Sequence, residues 1–382
     1  MTQAVQLKTK TIRKFFFLIL ILTVISIWIA MTRFESKMLL KVDNNTTVVI
    51  NKRFTRPVGK EPDKYEKYAI EIRQPVIDDN TSTKSTVPDV YQNETVGRGP
   101  WITVPKIGRL GNNMFQFAAL IAVAKHNNMT PIYPRKILDG IFKIDRSYIL
   151  SEKENLNSFR TIRLDEKRPS AYDESVMTRE IPANTNIKLC CYFQSWRYLE
   201  EIKEDLKRQF TFNSTIDNTA LKFINQVRSD ARANITLDID HVNLTLIGVH
   251  IRRSDMARAQ HLHPKTGYLA APKQYFQNAM EYFRTKHKHV HFIICTDDIK
   301  WAQNNTQFHH TTLSIGHSPG EDLAILSHCD HIIMSTGTFS WWAGWLSPGE
   351  VLYWVGWPEP NTELARLTKP TDYFLPHWKP LL

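Results

Sequence analysis

The longest apolar run in the chain covers residues 15–31 (FFFLILILTVISIWIAM) and contains no charged side chain. As a helix it would extend about 25 Å, which is enough to cross a thin bilayer. A modest excess of basic residues before the run predicts a cytosolic N-terminus. The alternative is a cleavable signal peptide, but no small-residue cleavage site closes the run. We therefore expect a cytoplasmic tail (1–14) and a transmembrane signal-anchor (15–31), with the rest of the chain in the lumen.

The segment that follows, residues 32–99, is rich in Asn, Thr, Lys, Asp and Pro and has no sustained hydrophobic periodicity. This composition predicts a flexible luminal stem. N-glycosylation triplets agree with this location, because all nine lie after the apolar run. The nine acceptor positions are Asn44, Asn45, Asn80, Asn93, Asn128, Asn213, Asn234, Asn243 and Asn304.

From residue 100 onwards, β-rich runs alternate with helical ones. The helix predicted over 112–125 is apolar nearly all round, so we expect it to be buried. A capping box at 318–321 opens another helix in the C-terminal half. The β-rich runs lie at 101–104, 187–193, 246–251, 290–295, 332–334 and 351–355. This alternation predicts an α/β fold with two Rossmann-like domains, 100–243 and 244–382, facing across a cleft.

The net charge of +11 over 382 residues suits an anionic partner. Basic residues are scattered and no nucleic-acid-binding motif is present, and a luminal chain would not meet nucleic acid. A small molecule with a pyrophosphate group fits the same charge. The four cysteines lack the CxxC spacing of a zinc site. One or two disulfides fit an oxidising lumen, with their pairing left open.

In open α/β sheets, ligands bind beyond the carboxyl ends of the strands. The first predicted strand of the C-terminal half is followed by His250, Arg252, Arg253 and Asp255. The fork of an arginine matches a pyrophosphate, because it donates two parallel charge-assisted hydrogen bonds. The structural alternative is a salt bridge between Arg253 and Asp255. We expect one arginine to serve each purpose.

The next two predicted strands also end in polar residues. Asp297 and Asp298 can accept hydrogen bonds from guanine, or they can cap the following helix. After the strand at 332–334, hydroxyl residues surround a glycine just before a helix, which predicts an anion site at that helix start. The hydroxyl residues are Thr336, Thr338 and Ser340, and the tryptophans after them are expected to be core residues.

Two further motifs need an interpretation. The segment 108–116 lacks the GxGxxG pattern, so NAD is not indicated, and Gln116 in its apolar helix needs either a backbone or a ligand partner. The pair Asp238 and Asp240 has the DxD form found in metal-dependent glycosyltransferases. It lies between two N-glycosylation triplets, so we interpret it as a surface loop and predict no bound metal.

Four segments in this order resemble the galactoside alpha-1,2-fucosyltransferase family: GRLGNNMFQFAAL (108–120), CYFQSWRYL (191–199), GVHIRRSD (248–255) and CDHIIMSTGTFSWWAGWLS (329–347). The resemblance implies a metal-independent, inverting transfer from GDP-fucose by a GT-B-like enzyme of the Golgi membrane. In that scheme, 100–243 is the acceptor-side domain and 244–382 binds GDP-fucose. The segment at 335–342 (STGTFSWW) departs from the pattern in relatives, where Gly-Phe-Trp commonly follows Thr-Phe, and this leaves acceptor preference open.

The resemblance also implies roles for particular residues. His250 and either Asp297 or Asp298 would contact guanine, while Arg252 would bind the β-phosphate. Arg253 is a further donor-binding candidate, and Asp255 is the candidate general base. The resemblance also implies that Thr336, Thr338 or Ser340 would bind the pyrophosphate. As residues of the acceptor side or the cleft we expect Asn112, Gln116 and Gln194.

The sequence thus predicts a fucosyltransferase that modifies a terminal galactose of a glycan. Two alternatives stay open: a fucosyltransferase of another linkage or acting on protein side chains, and a membrane-anchored lectin without catalysis. A lectin for neutral glycans would not need paired arginines or an anion site.

Overall fold

The computed structural model describes residues 36–41, 47–53, 67–73, 99–105, 107–133, 138–148, 158–233, 244–306 and 309–382. The predicted anchor (15–31), the pair Asp238 and Asp240, and six of the nine glycosylation positions lie outside these residues. Within the described ranges, none of the helices has the length and apolarity needed to cross a membrane. Contacts divide the chain into two units, Met1–Gln92 and Asn93–Leu382.

The first unit contains an antiparallel sheet in the order β1-β2-β3. Its strands are β1 (Ser36–Lys41), β2 (Thr47–Arg53) and β3 (Lys67–Arg73). The sequence analysis predicted only a flexible stem in this range, so these strands differ from that prediction. Short β-branched stretches such as Val48–Ile50 favour strand pairing even though the surrounding composition is polar.

The second unit contains two sheets in which every strand pair is parallel. The four-stranded sheet has the order β5-β4-β7-β6, and the six-stranded sheet has the order β10-β9-β8-β11-β12-β13. The strands of the first sheet are β4 (Trp101–Thr103), β5 (Thr130–Ile132), β6 (Arg160–Asp165) and β7 (Thr185–Cys190). Those of the second are β8 (Thr245–Ile251), β9 (Val290–Thr296), β10 (Thr311–Leu313), β11 (His331–Met334), β12 (Val351–Trp354) and β13 (Lys379–Leu381). The predicted α/β class with parallel sheets is confirmed.

Helices pack against both sheets. The helices are α1 (Leu110–His126), α2 (Glu174–Thr178), α3 (Lys203–Gln209), α4 (Ser214–Ala233), α5 (Ser254–Leu262), α6 (Lys273–Lys286), α7 (Ile299–Asn305), α8 (Pro319–Ser327), α9 (Thr338–Leu346), α10 (Glu363–Leu367) and α11 (Pro370–Tyr373). Short 3-10 turns lie at Arg146–Tyr148, Trp196–Tyr198, Glu200–Ile202 and Pro264–Thr266. The predicted capping box is present at α8, where Ser318 and Glu321 bond each other's backbone N–H groups.

The packing of α1 against α9 is one of several contacts that join the N-terminal half of the unit to its C-terminal half. Helix α1 is buried on nearly all sides, as predicted, and it packs against α9. The indole Nε1 of Trp342 donates to the Gly111 carbonyl at 3.0 Å, and Trp341 is equally buried, so both tryptophans belong to the core as predicted. A Cβ on Gly111 would lie 2.7 Å from the Thr338 backbone, so glycine permits this close approach. The contact brings the start of α1 beside the start of α9.

Candidate functional site

The carboxyl ends of β8, β9 and β11 meet at one edge of the six-stranded sheet, because β8 lies between the other two. Each strand is followed at once by polar residues, and these form the candidate site. In the register of the sheet, His250 pairs with Met334 on one side and with Cys295 on the other. The three strand ends after which candidate ligand-binding residues were predicted therefore lie side by side.

His250 is a buried, neutral histidine at the end of β8. Its Nδ1 lies 2.5 Å from the Ser340 Oγ, and its ring centroid lies 4.7 Å from that of Phe339. Burial is the main cause that lowers the pKa of His250 to about 3; the positive Arg252 and Arg109 lower it further, while Asp297 and Asp255 oppose the shift. The imidazole can therefore serve as a hydrogen-bonding group at neutral pH without adding charge.

Arg252 points its guanidinium group into the site. Its backbone N–H donates to the Ser335 Oγ at 2.9 Å, which fixes the main chain beyond β8. Its side chain holds Asp255 with two hydrogen bonds, from Nε to Oδ1 at 3.0 Å and from Nη2 to Oδ2 at 2.6 Å. This two-point grip is the same geometry that an arginine offers to a phosphate group.

Gly337 makes room for that guanidinium group. It has φ +86°, and a Cβ at this position would lie 2.2 Å from the Arg252 Nη1. Gly337 is also the N-cap of α9 and offers no capping side chain. The positive end of the α9 dipole therefore lies next to Arg252, and both favour an anion at this point.

Arg109 is a second arginine in the cluster, and the sequence analysis missed it. It is the N-cap of α1, and its Nη2 donates to the Asp255 Oδ2, the same oxygen that Arg252 holds. Its side chain is 69% exposed, so it can rearrange around a ligand. The available signal was its position in the loop between the first predicted strand and the helix that follows, where ligand-binding residues are expected.

Asp255 was the candidate general base, and its surroundings argue against that role. Both carboxylate oxygens accept hydrogen bonds from guanidinium groups. Burial opposes ionisation, but the hydrogen bond and charge of Arg252, with the charge of Arg109, hold the pKa of Asp255 below its usual value. A carboxylate in this state is a weak proton acceptor. Its position makes it a positioning residue for the two arginines.

Arg253 turns away from this cluster. Its guanidinium carbon lies 4.3 Å from the centroid of the Trp301 ring, so the side chain stacks on the indole. The salt bridge considered for Arg253 and Asp255 is wrong, because Arg252 takes that partner. The reason is geometric. Because α5 begins immediately after Arg253, Asp255 lies one helical turn from Arg252, and the side chain of Arg253 points elsewhere.

The two aspartates after β9 accept hydrogen bonds from backbone N–H groups and so stabilise the main chain at the starts of α5 and α7. Asp297 Oδ1 accepts from the Arg253 N–H at 2.7 Å, and Oδ2 accepts from the Ser254 Oγ at 2.6 Å. Asp298 is the N-cap of α7 and accepts from the Trp301 N–H at 3.1 Å. The capping alternative is thus correct for Asp298, while Asp297 ties the end of β9 to the start of α5. Asp297 is exposed, so an oxygen lone pair can still face a ligand.

The three hydroxyl residues near α9 are buried and internally bonded. Thr336 donates to the Leu269 carbonyl at 3.4 Å, Thr338 donates to the Asn112 Oδ1 at 2.9 Å, and Ser340 lies beside His250. Their side chains therefore shape the segment. The backbone N–H groups of the first turn of α9 are the donors that remain for an anion.

The polar positions of the N-terminal half separate into two groups. Asn112 accepts at Oδ1 from the Gln194 Nε2 at 3.1 Å as well as from Thr338, so it joins the two halves of the unit at the site. Gln116 is instead fully occupied with the backbone of Ile107, through bonds of 3.4 and 3.0 Å, and is completely buried. Gln116 therefore supports the start of α1 and does not line the cleft.

Comparison with known proteins gives the chain its family. The model of Glycosyl transferase family 11 matches residues 78–381. The chain is 29% identical over 290 residues to "Galactoside alpha-(1,2)-fucosyltransferase 2" of Pongo pygmaeus, covering 74% of this chain and 79% of that protein. It is 27% identical over 304 residues to "Galactoside alpha-(1,2)-fucosyltransferase 1" of Mus musculus, covering 78% and 76%. Among solved structures, a mutant of Arabidopsis thaliana FUT1 in complex with GDP gives a TM-score of 0.45 at 13% identity, covering 70% of this chain and 72% of that one. Because the family model covers most of the sequence, the chain belongs to glycosyl transferase family 11.

Proposed function

We propose that this chain transfers L-fucose from GDP-fucose to a terminal galactose of a glycan, in alpha-1,2 linkage and with inversion. The observation that carries the proposal is the two-point grip of Arg252 beside the start of α9, in the space left by Gly337. Relatives that match this chain over most of their own length are named galactoside alpha-(1,2)-fucosyltransferases. We also infer that the two parallel sheets form a GT-B-like pair with the donor at the six-stranded sheet.

The charge changes of the reaction explain the composition of the site. Cleavage of the fucose–phosphate bond leaves negative charge on the GDP β-phosphate. Arg252 and the α9 amides are fixed donors aimed at one place, and such donors stabilise developing charge most effectively when they are preorganised. Arg109, which is exposed, can move to add its charge there. A neutral His250 keeps the neighbouring nucleotide pocket from becoming more cationic.

Asp255 and the donor phosphate would compete for the same guanidinium groups. In the structure, Asp255 holds Arg252 and Arg109 together. A pyrophosphate approaching α9 can replace the carboxylate in some of these hydrogen bonds. The remaining bonds to Asp255 keep both arginine side chains oriented. We therefore assign Asp255 as a positioning residue and leave proton removal from the acceptor to another group or to solvent.

The acceptor would enter from the side of the four-stranded sheet. Gln194 and Asn112 lie there, linked to each other and to Thr338 at the start of α9. Amide groups so placed can bind the hydroxyl groups of a sugar. We propose that they orient the galactose and that no metal is needed, because arginines and helix amides already supply positive charge at the leaving group.

Replacement of Arg252 by Ala tests the donor site. We expect kcat/KM for GDP-fucose to fall about 10²- to 10³-fold, since an oriented donor to the leaving group is lost. Arg258→Ala is the matched control, because it removes the same charge from an exposed position of the next helix. The control should stay within about twofold of the parent. Equal activity of the Arg252 variant and the control would contradict the assignment.

Replacement of Gly337 by Ala tests the space that Arg252 occupies. Gly316→Ala is a close control, because Gly316 has φ +84° and nothing within 4 Å of the added Cβ. Both changes place a side chain at a positive φ, which should lower the free energy of unfolding by about 1–3 kcal/mol. Only Gly337→Ala should also weaken GDP binding, measured by calorimetry. Similar GDP affinities for the two variants would show that the space beside Gly337, which the Arg252 side chain occupies, does not affect GDP binding.

The membrane anchor and the Golgi location are part of the same proposal, supported by the apolar run at 15–31 and the glycosylation triplets after it. The full chain expressed in cells should sediment with membranes and lose mass on treatment with an N-glycosidase. Replacement of residues 1–31 by a cleavable signal peptide should release the glycosylated chain into the medium. Recovery of the full chain in the soluble fraction without glycans would contradict the proposed topology.

A further inference from the structure

A cluster of two thiols and a carboxylate lies at the carboxyl end of the four-stranded sheet, apart from the residues of the donor site. Asp165 ends β6 and Cys190 ends β7, and the two residues are direct partners in the register of these strands. Cys191 follows immediately. One ligand atom from each of the three residues lies within 4.8 Å of the other two.

The backbone of Cys191 is what brings the two sulfur atoms together. Along a regular strand, successive side chains point to opposite faces. Cys191 has φ +102°, a conformation that non-glycine residues rarely adopt, and its Sγ lies 3.1 Å from the Sγ of Cys190. Such unusual backbone conformations are concentrated at functional sites. Both cysteines are half-buried, so they can be reached from solvent.

Arg163 supplies a compensating charge beside the cluster. Its Nη2 lies 2.7 Å from the Cys190 Sγ, and its Nε donates to both oxygens of Asp165 at 2.7 and 3.0 Å. The hydrogen bond from Arg163 is the main cause that lowers the pKa of Asp165, so the carboxylate is ionised at neutral pH. The Arg163 side chain is 65% exposed and can move aside at little cost.

We propose that Asp165, Cys190 and Cys191 form a binding site for a thiophilic divalent cation of the Zn²⁺ class. Two sulfur ligands and one carboxylate oxygen are a ligand set that zinc accepts, with water in the fourth position. Two thiolates and a carboxylate would carry three negative charges, which the cation and Arg163 together balance. Arg163 would then act as a hydrogen-bonding partner outside the ligand shell.

The bound cation would stabilise the loop that carries Gln194. This loop is already held by Glu166, whose Oε1 accepts from the backbone N–H groups of Tyr192 and Phe193 at 2.6 and 2.9 Å. The cation would add a second attachment at Cys191, three residues before Gln194. Its role is structural, so transfer without added metal remains the expectation for the reaction itself.

The test is a titration of the reduced, metal-free full chain in detergent with Cd²⁺, followed by the near-ultraviolet thiolate–cadmium absorption. We expect one equivalent of Cd²⁺ to bind and Zn²⁺ to compete for the same site. Asp165→Asn should weaken Cd²⁺ binding at least about tenfold. Cys190→Ser/Cys191→Ser should lose the signal. Cys295→Ala, which removes a buried thiol elsewhere, should keep it. Circular dichroism of each variant verifies that it is folded.

Three results would overturn the proposal. The first is the absence of a one-to-one complex, and the second is a complex that survives in the double cysteine variant. The third is an isolated protein whose mass is lower by two hydrogen atoms and whose Cys190 and Cys191 resist alkylation until reduced, which would identify a disulfide in place of a cation site. Fucose transfer is measured separately in EDTA, so a failure here leaves the proposed function intact.

Discussion

The site depends above all on the two-point pairing of Arg252 with Asp255 in the space beside Gly337. Three constraints place the guanidinium group there. The register of β8 and β11 brings the two strand ends side by side, the Ser335 hydroxyl accepts the Arg252 N–H, and Gly337 leaves no side chain in the way. An arginine held so firmly against a helix start loses little further conformational freedom when it binds an anion. The arrangement therefore suits a nucleoside diphosphate.

The packing of α1 against α9 joins the two halves of the enzyme beside this arginine. Gly111 lets α1 approach α9, and the buried indole of Trp342 bonds the Gly111 carbonyl. The helix start that carries Arg109 and Asn112 is thereby fixed next to the one that follows Gly337. The residues proposed for the donor and for the acceptor thus share one packed junction, so we expect the geometry between the two substrates to be set by core packing and not by mobile loops.

Much of this arrangement could be predicted from the sequence, and the exceptions have physical causes. The buried strands, the α8 capping box and the polar residues at strand ends follow from local patterns, and they gave the fold class and the neighbourhood of the site. Which arginine meets Asp255 depends on where α5 begins, and Gln116 finds its partner in a loop nine residues away; neither follows from residue type. Arg109 was missed because its partner lies 146 residues further along the chain. The close sulfur atoms of Cys190 and Cys191 depend on one unusual backbone angle, which no sequence pattern indicated.

The most direct test of the account is the linkage of the product. The purified chain is incubated with GDP-fucose and a terminal β-galactoside in the presence of EDTA, and the product is analysed by methylation and mass spectrometry. The account predicts fucose on the 2-hydroxyl of the galactose, formed without metal and with inversion at the fucose anomeric carbon. Fucose on another hydroxyl, or an absolute need for a metal ion, would contradict the proposed reaction; the absence of any GDP binding would contradict the donor site itself.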